Sequence, residues 1–286
     1  MKEFLKHILW ATDYSEESEH ALLYASLLAK TYGSKLSALH VIPDFSPVLY
    51  EAHPDLEAEL TGKIQTAAAA SEERIGNISK ARGIKFDEVL VRTGSPDKVI
   101  CEAVEKEKAN LVVVGLTGQG KAAPMGGIVT RLLHSSSVPV LVTKKKKGDV
   151  AVKKILVPTD FTDQEDVERD FAWRLAKGLD ASLGFLYVME LFGHDFRLTD
   201  EMFESVLKKL KARRKREHED VEMTEDVYKA ATAFEGIVDY SEHHKYDLIV
   251  MSTQVKPFAR FFLGSTTQKV ISLSVLPVFA IPPKRG

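Results

Sequence analysis

The feature that most constrains this chain is that it says the same thing twice. Residues 6–44, KHILWATDYSEESEHALLYASLLAKTYGSKLSALHVIPD, are echoed by 153–191, KKILVPTDFTDQEDVERDFAWRLAKGLDASLGFLYVMEL. Asp13 answers to Asp160 and Val41 to Val188 at one constant offset, whereas Pro139 answers to Pro277 at a shorter one. The second copy has therefore lost residues between its second and fourth strands. Repetition at domain length means two similar domains in tandem. The boundaries read as 1–146 and 152–284, with 147–151 as linker.

Within a copy, apolar runs of strand length alternate with helical spacing. His7 to Thr12 reads as a strand. Ser15 caps the helix that follows, whose apolar face is Ala21, Leu22, Ala25 and Leu28 and whose stop is Gly33. Lys35–Ile42, Lys85–Arg92, Leu111–Val114 and Pro139–Val142 are the further strands. Leu56–Ala81 and a segment opened by Ser95-Pro96 are helices. Strand–helix alternation of this kind predicts an α/β fold, two doubly wound domains each with a five-stranded parallel sheet and helices on both faces. Ligands of such sheets bind beyond the carboxyl ends of the strands. Asp13 and the loop starting at Gly115 both follow strand ends.

That loop is rich in glycine: Gly115, Gly118, Gly120, then Gly126 and Gly127. Between a strand and a helix, glycines let backbone N–H groups approach a phosphate. The alternative is a plain surface turn. Gly115 to Lys121 spells the first seven positions of a P-loop, but Ala122 stands where a magnesium-holding Ser or Thr belongs, and Pro124, Gly126 and Gly127 disfavour the helix. The P-loop is rejected, with Lys121 kept as a lesser phosphate contact.

Charge decides little. With 39 basic and 41 acidic side chains, nothing in the balance points to nucleic acid or a membrane surface. The run KKLKARRKR, 208–216, reads as a solvated basic face, and the adjacent His243 and His244 do not share a helix face as a metal pair would. Cys101 is the only cysteine, which fits a reducing, cytoplasmic setting. It falls in a helical pattern, as a buried thiol would. There is no leader-like start and no apolar run of membrane-spanning length.

The segments ILWATDYSEES and ILVPTDFT, followed by ALHV and FLYV, a glycine loop, a helix and PVLV, resemble the universal stress protein family over nearly the whole chain. The resemblance implies an adenine nucleotide alpha hydrolase-like fold, with the two domains paired pseudo-symmetrically through their last strands and further pairing of chains as a homodimer left open. It also implies a site for ATP or AMP, with or without Mg2+. The Asp after strand one and the valine after strand two would hold adenine and ribose. A motif G-x-x-G, nine residues, then G-S/T would hold the phosphates.

Carried onto this chain, the first half supplies Asp13, Val41, Gly115, Gly118, Gly126, Gly127 and Ile128. Gly126 comes two residues early, and Gly127 stands where Ser or Thr is expected. The second half supplies Asp160, Val188, Gly264, Ser265 and Thr266, with Met251 and Gln254 read as the two G-x-x-G positions. Side chains there would strain or block the loop, so this reading ranks the first half as the better site. Asp13 acting only as a turn cap, and Gly264-Ser265 acting only as a helix start, are the plainer alternatives.

No triad, metal cluster or arginine finger is apparent. The expected function is a nucleotide-binding stress-response sensor or regulator with an unknown protein partner and at most slow ATPase activity. The competing expectation is a nucleotide-free scaffold or chaperone-like module.

Overall fold

The computed structural model describes residues 4–43, 57–117, 127–145, 150–161, 165–190, 200–213, 220–253 and 264–283. Contacts divide the chain into two compact units, Lys2–Lys145 and Lys146–Gly286.

Among its described residues the first unit contains β1 (His7–Thr12), α1 (Glu16–Tyr32), β2 (Lys35–Pro43), α2 (Glu57–Arg82), β3 (Glu88–Gly94), α3 (Pro96–Glu107), β4 (Leu111–Gly115), α4 (Gly127–Ser135) and β5 (Val140–Thr143). All pairings are parallel, in the order β3-β2-β1-β4-β5. Every residue of β1 is buried, as a strand covered by helices on both faces requires. Trp10, fully buried, stacks on Phe86 at 5.6 Å between ring centres and donates its indole N–H to the Ser18 carbonyl at 2.7 Å.

α1 starts and stops as its sequence predicts. Ser15 accepts from the Ser18 N–H at 3.2 Å, three acids fill the first turn, and Gly33 takes φ 67° at the C-cap. The third strand differs from expectation, running Glu88–Gly94 and not Lys85–Arg92. Asp87 is the reason: its carboxylate accepts from the Leu36 N–H at 2.8 Å while its own N–H donates to the Leu36 carbonyl. The chain is thereby pinned beside β2 before the ladder begins.

The second unit repeats the plan with β6 (Lys154–Pro158), α5 (Glu165–Leu179), β7 (Ser182–Glu190), α6 (Asp200–Ala212), β8 (Met223–Ala230), α7 (Ala233–His243), β9 (Leu248–Ser252), α8 (Ser265–Leu273) and β10 (Val278–Ile281). Its parallel order is β8-β7-β6-β9-β10. Two tandem parallel α/β sheets are thus as the repeat predicts. The strand order, which periodicity does not yield, supplies the new information. From β1 the chain winds to one side, then returns to wind from β4 to the other, and β6 and β9 do the same. Loops leaving these neighbouring strand ends diverge and open a crevice between them.

Register corrects one equivalence. Ile8 pairs with Leu111 and Val112 with Val140, while Ile155 pairs with Leu248 and Ile249 with Val278. Gly115, the last residue of β4, therefore corresponds to Ser252 and not to Met251. Met251 is buried within β9. The expected loop strain at Met251 does not arise.

Candidate functional site

Each copy turns sharply after its first strand. The Tyr14 N–H donates to Thr12 Oγ1 at 3.0 Å, and the Phe161 N–H donates to Thr159 Oγ1 at 3.2 Å. Both aromatic residues are held left-handed, at φ 64° and 61°. For a bulky side chain this costs on the order of 1–2 kcal/mol. The same strained turn, built twice, sets the aspartate before it at the crevice mouth.

A cation covers the aromatic ring in each case. Arg74 lies 4.2 Å from the Tyr14 ring centre, and Lys209 and Arg213 lie 4.2 and 5.1 Å from that of Phe161. Lys209 and Arg213 thus cover an aromatic ring, although both belong to the run 208–216 that reads as a solvated basic face; residues 214–216 of that run lie outside the described residues. His40 and Tyr187 occupy equivalent places on β2 and β7. His40 packs at 4.3 Å against Tyr14 and bonds through Nδ1 to the Thr12 carbonyl at 2.8 Å; Tyr187 stacks at 5.0 Å on Phe161. Burial pulls the His40 imidazole below its ordinary value, so it stays neutral near pH 7.

In the second unit a cavity of about 240 Å³ lies at the switch point. Its wall includes Asp160, Val188, Gly264, Ser265 and Thr266, so all five residues carried over for this half come together. Ala233 and Ile237 of α7 add apolar surface. That helix comes close because Gly236 has no side chain: a Cβ there would lie 2.5 Å from Val188 Cγ1. Thr267 Oγ1 ties the start of α8 to the Ser252 carbonyl at 2.7 Å, and the Gly264 N–H donates to the Thr253 carbonyl at 2.9 Å. The first turn of α8 lines the cavity and has no side-chain cap, and a helix start of this kind favours an anion.

Sequence reasoning missed Glu168. It is 7% exposed, lines the same cavity, and is pushed up to about 8 by burial and by the neighbouring Asp160. A signal was available, since the repeat sets Glu168 and Arg169 against Ala21 and Leu22 on the apolar face of α1. Arg169, also buried, lies 3.8 Å over the Phe185 ring, and burial lowers its guanidinium to about 10.

The first unit holds its matching residues as follows. Asp13 accepts from the Ser15 N–H at 3.1 Å, the turn-capping role. Val41 is buried. A Cβ on Gly115 would meet Ser18 N at 2.7 Å, so this glycine admits the start of α1. Glu17 Oε2 accepts from the Thr117 N–H and hydroxyl at 2.6 and 2.5 Å. A carboxylate thus occupies the opening of the loop expected to cradle phosphate. Gly127 and Ile128 are exposed in the first turn of α4. Gly118, Gly126 and Lys121 lie outside the described residues, as do Gln254 and the linker positions 147–149.

Among the described residues no group of three or more His, Cys, Asp or Glu side chains is placed to hold a metal ion, and no helix is long and apolar enough to cross a membrane. Cys101 is half-buried.

A family model described as the universal stress protein family matches residues 5–144 and again 151–282. A universal stress protein of Methanocaldococcus jannaschii is 29% identical over 149 residues, 50% of this chain and 85% of that protein. A second from the same organism is 28% identical over 163 residues, 52% of this chain and 100% of that protein. Among solved structures, a universal stress protein from Archaeoglobus fulgidus superposes with a TM-score of 0.64 and 23% identity, covering 100% of this chain and 99% of its own. That likeness speaks to the fold.

Proposed function

The chain belongs to the universal stress protein family through both of its halves, and from that premise we propose that it binds an adenine nucleotide in the crevice of its second domain and works by binding rather than by catalysis. The observation that carries this is the convergence of Asp160, Val188, Gly264, Ser265 and Thr266 on one cavity. Asp160 can accept from ribose hydroxyls or the adenine amine. Leu186, Tyr187, Val188 and Ile237 offer a flat base an apolar wall. The start of α8, with the Ser265 and Thr266 hydroxyls, receives phosphate.

Size argues for a small occupant. A cavity of about 240 Å³ falls below the range of roughly 300–1,000 Å³ usual for drug-sized ligands. It suits base and ribose, with phosphate at the rim. AMP is therefore the preferred ligand, and ATP would carry Mg2+ on its own phosphates. Binding to the folded form alone stabilises it by mass action, which lets a nucleotide level set the population of a regulatory surface.

Mass spectrometry of freshly isolated protein, followed by titration with AMP and ATP, tests the reading. About one AMP per chain is expected by mass-action binding; absence of both bound nucleotide and titration heat would remove it. A second reading, a nucleotide-free scaffold, draws on Leu273 and Val275, each 55% exposed at the end of α8. It predicts concentration-dependent association that Leu273→Ser weakens, measured by sedimentation.

A further inference from the structure

Glu168 is a residue that a nucleotide crevice of the expected kind does not need. It sits on α5 where α1 has Ala21, and its carboxyl accepts from the Ser252 N–H and hydroxyl. Ser252 in turn stands where β4 ends in Gly115. The first domain has no side-chain atoms beyond a methyl at these two positions. The second has a carboxyl and its hydroxyl partner, added together at the cavity wall.

The groups around Glu168 are predominantly acidic. Asp160 faces it from the end of β6. From β7, Glu190 and Tyr187 line the same cavity, the Glu190 carboxylate accepting from the Ala233 N–H at 2.7 Å. Ser252 is the contact from β9. On α5 itself Arg169 attracts it, but that guanidinium lies over Phe185 and is shared with Glu225 of β8 and with Asp166. Among the described lining residues stand three carboxyls, Asp160, Glu168 and Glu190, and no Lys, Arg or His.

We propose that Glu168 sets the charge of the ligand this crevice admits: with its proton it accepts the phosphate monoester of an adenine nucleoside, and without its proton it turns that ester away. The proposal rests on the nucleotide reading of the same crevice. The carboxyl titrates near pH 8 because burial disfavours its charged form and Asp160 repels it, with the Ser252 bonds pulling the other way. A phosphate brought into the crevice disfavours the charged form further. Above pH 8, binding must then take up a proton.

The test is titration of the full chain with AMP, and separately with adenosine, from about pH 6.5 to 9.5 across the carboxyl's range. AMP affinity is expected to hold to about pH 8 and then to fall by up to about tenfold per pH unit. AMP itself contributes nothing to that fall, because its phosphate has already ionised at about pH 6. Glu168→Gln keeps an acceptor for Ser252 and cannot ionise, so its AMP affinity should stay flat. Adenosine should weaken less than AMP. Equal slopes for wild type and E168Q would overturn the proposal. Failure of AMP to bind at any pH would reject the nucleotide reading, and the proposal with it. Calorimetry of the unmodified protein in two buffers of different ionisation enthalpy gives an independent reading. About half a proton taken up per AMP near pH 8 is expected, and none would overturn the proposal.

Discussion

The two domains share one plan and differ where a ligand would enter. In the first, a bare glycine ends β4 and α1 presses against it, with Glu17 holding the start of the following loop through Thr117. In the second, Ser252 has a side chain at that place, so α5 cannot press as closely, and a cavity with a buried carboxyl lies there. The two strand-end positions thus differ by one side chain, with close helix packing described at Gly115 and a cavity described at Ser252. Duplication gives each domain the same strained aspartate turn, with different residues beside it.

The most damaging way to break the comparison is Gly115→Ser. Its Cβ would need to share space with the α1 backbone at 2.7–2.8 Å, and backbone cannot yield as a side chain can. A loss of about 3 kcal/mol in urea denaturation is expected, the upper end of overpacking costs. The converse change, Ser252→Gly, removes one hydrogen bond and should cost only about 1 kcal/mol.

Glu168→Gln is expected to act on stability with a definite sign. The folded carboxyl titrates at about 8, above its ordinary 4.5. The native state therefore holds a proton that the unfolded chain releases, so wild-type stability falls as pH rises between those values and is level above them. E168Q should gain on wild type by about 4 kcal/mol at pH 8 relative to pH 4.5, the linkage value of a carboxyl raised to about 8, read from melting curves at both. A constant difference between the two proteins would place the carboxyl's titration elsewhere.

A smaller effect is expected at Glu17. Glu17→Gln weakens the acceptor for Thr117 and should cost about 1 kcal/mol or less. It also removes the negative charge at the first domain's loop, so a second, weaker AMP should become detectable by calorimetry. If the first domain stays silent in E17Q, the close packing at Gly115, and not the carboxylate, is what closes it.

Much of this was legible in the residues. The constant offset pairing Asp13 with Asp160 and Val41 with Val188 gave two α/β domains, and Ser15 and Gly33 marked the ends of α1. Strand order was not legible, because periodicity names a strand without naming its neighbour. The Met251 equivalence slipped by one because the loops after β4 and β9 differ in length, and only ladder register counts back from the strands. Glu168 was legible through the repeat, which sets it against Ala21 on the apolar face of α1, but no family motif singles it out. Ranking the halves by their glycines favoured the first. Gly115 also serves packing there, and Gly118 and Gly126 lie outside the described residues; the described cavity of the second is what the proposal rests on.

The most direct test of that asymmetry is calorimetric titration of AMP into the wild type, Asp13→Ala and Asp160→Ala. The expected result is a single site per chain that survives Asp13→Ala and weakens by about tenfold or more in Asp160→Ala, the loss of charge-assisted hydrogen bonds worth roughly 1.5–3 kcal/mol. A site that survives Asp160→Ala and disappears with Asp13→Ala would put the nucleotide in the first domain and contradict the division of roles between the two copies.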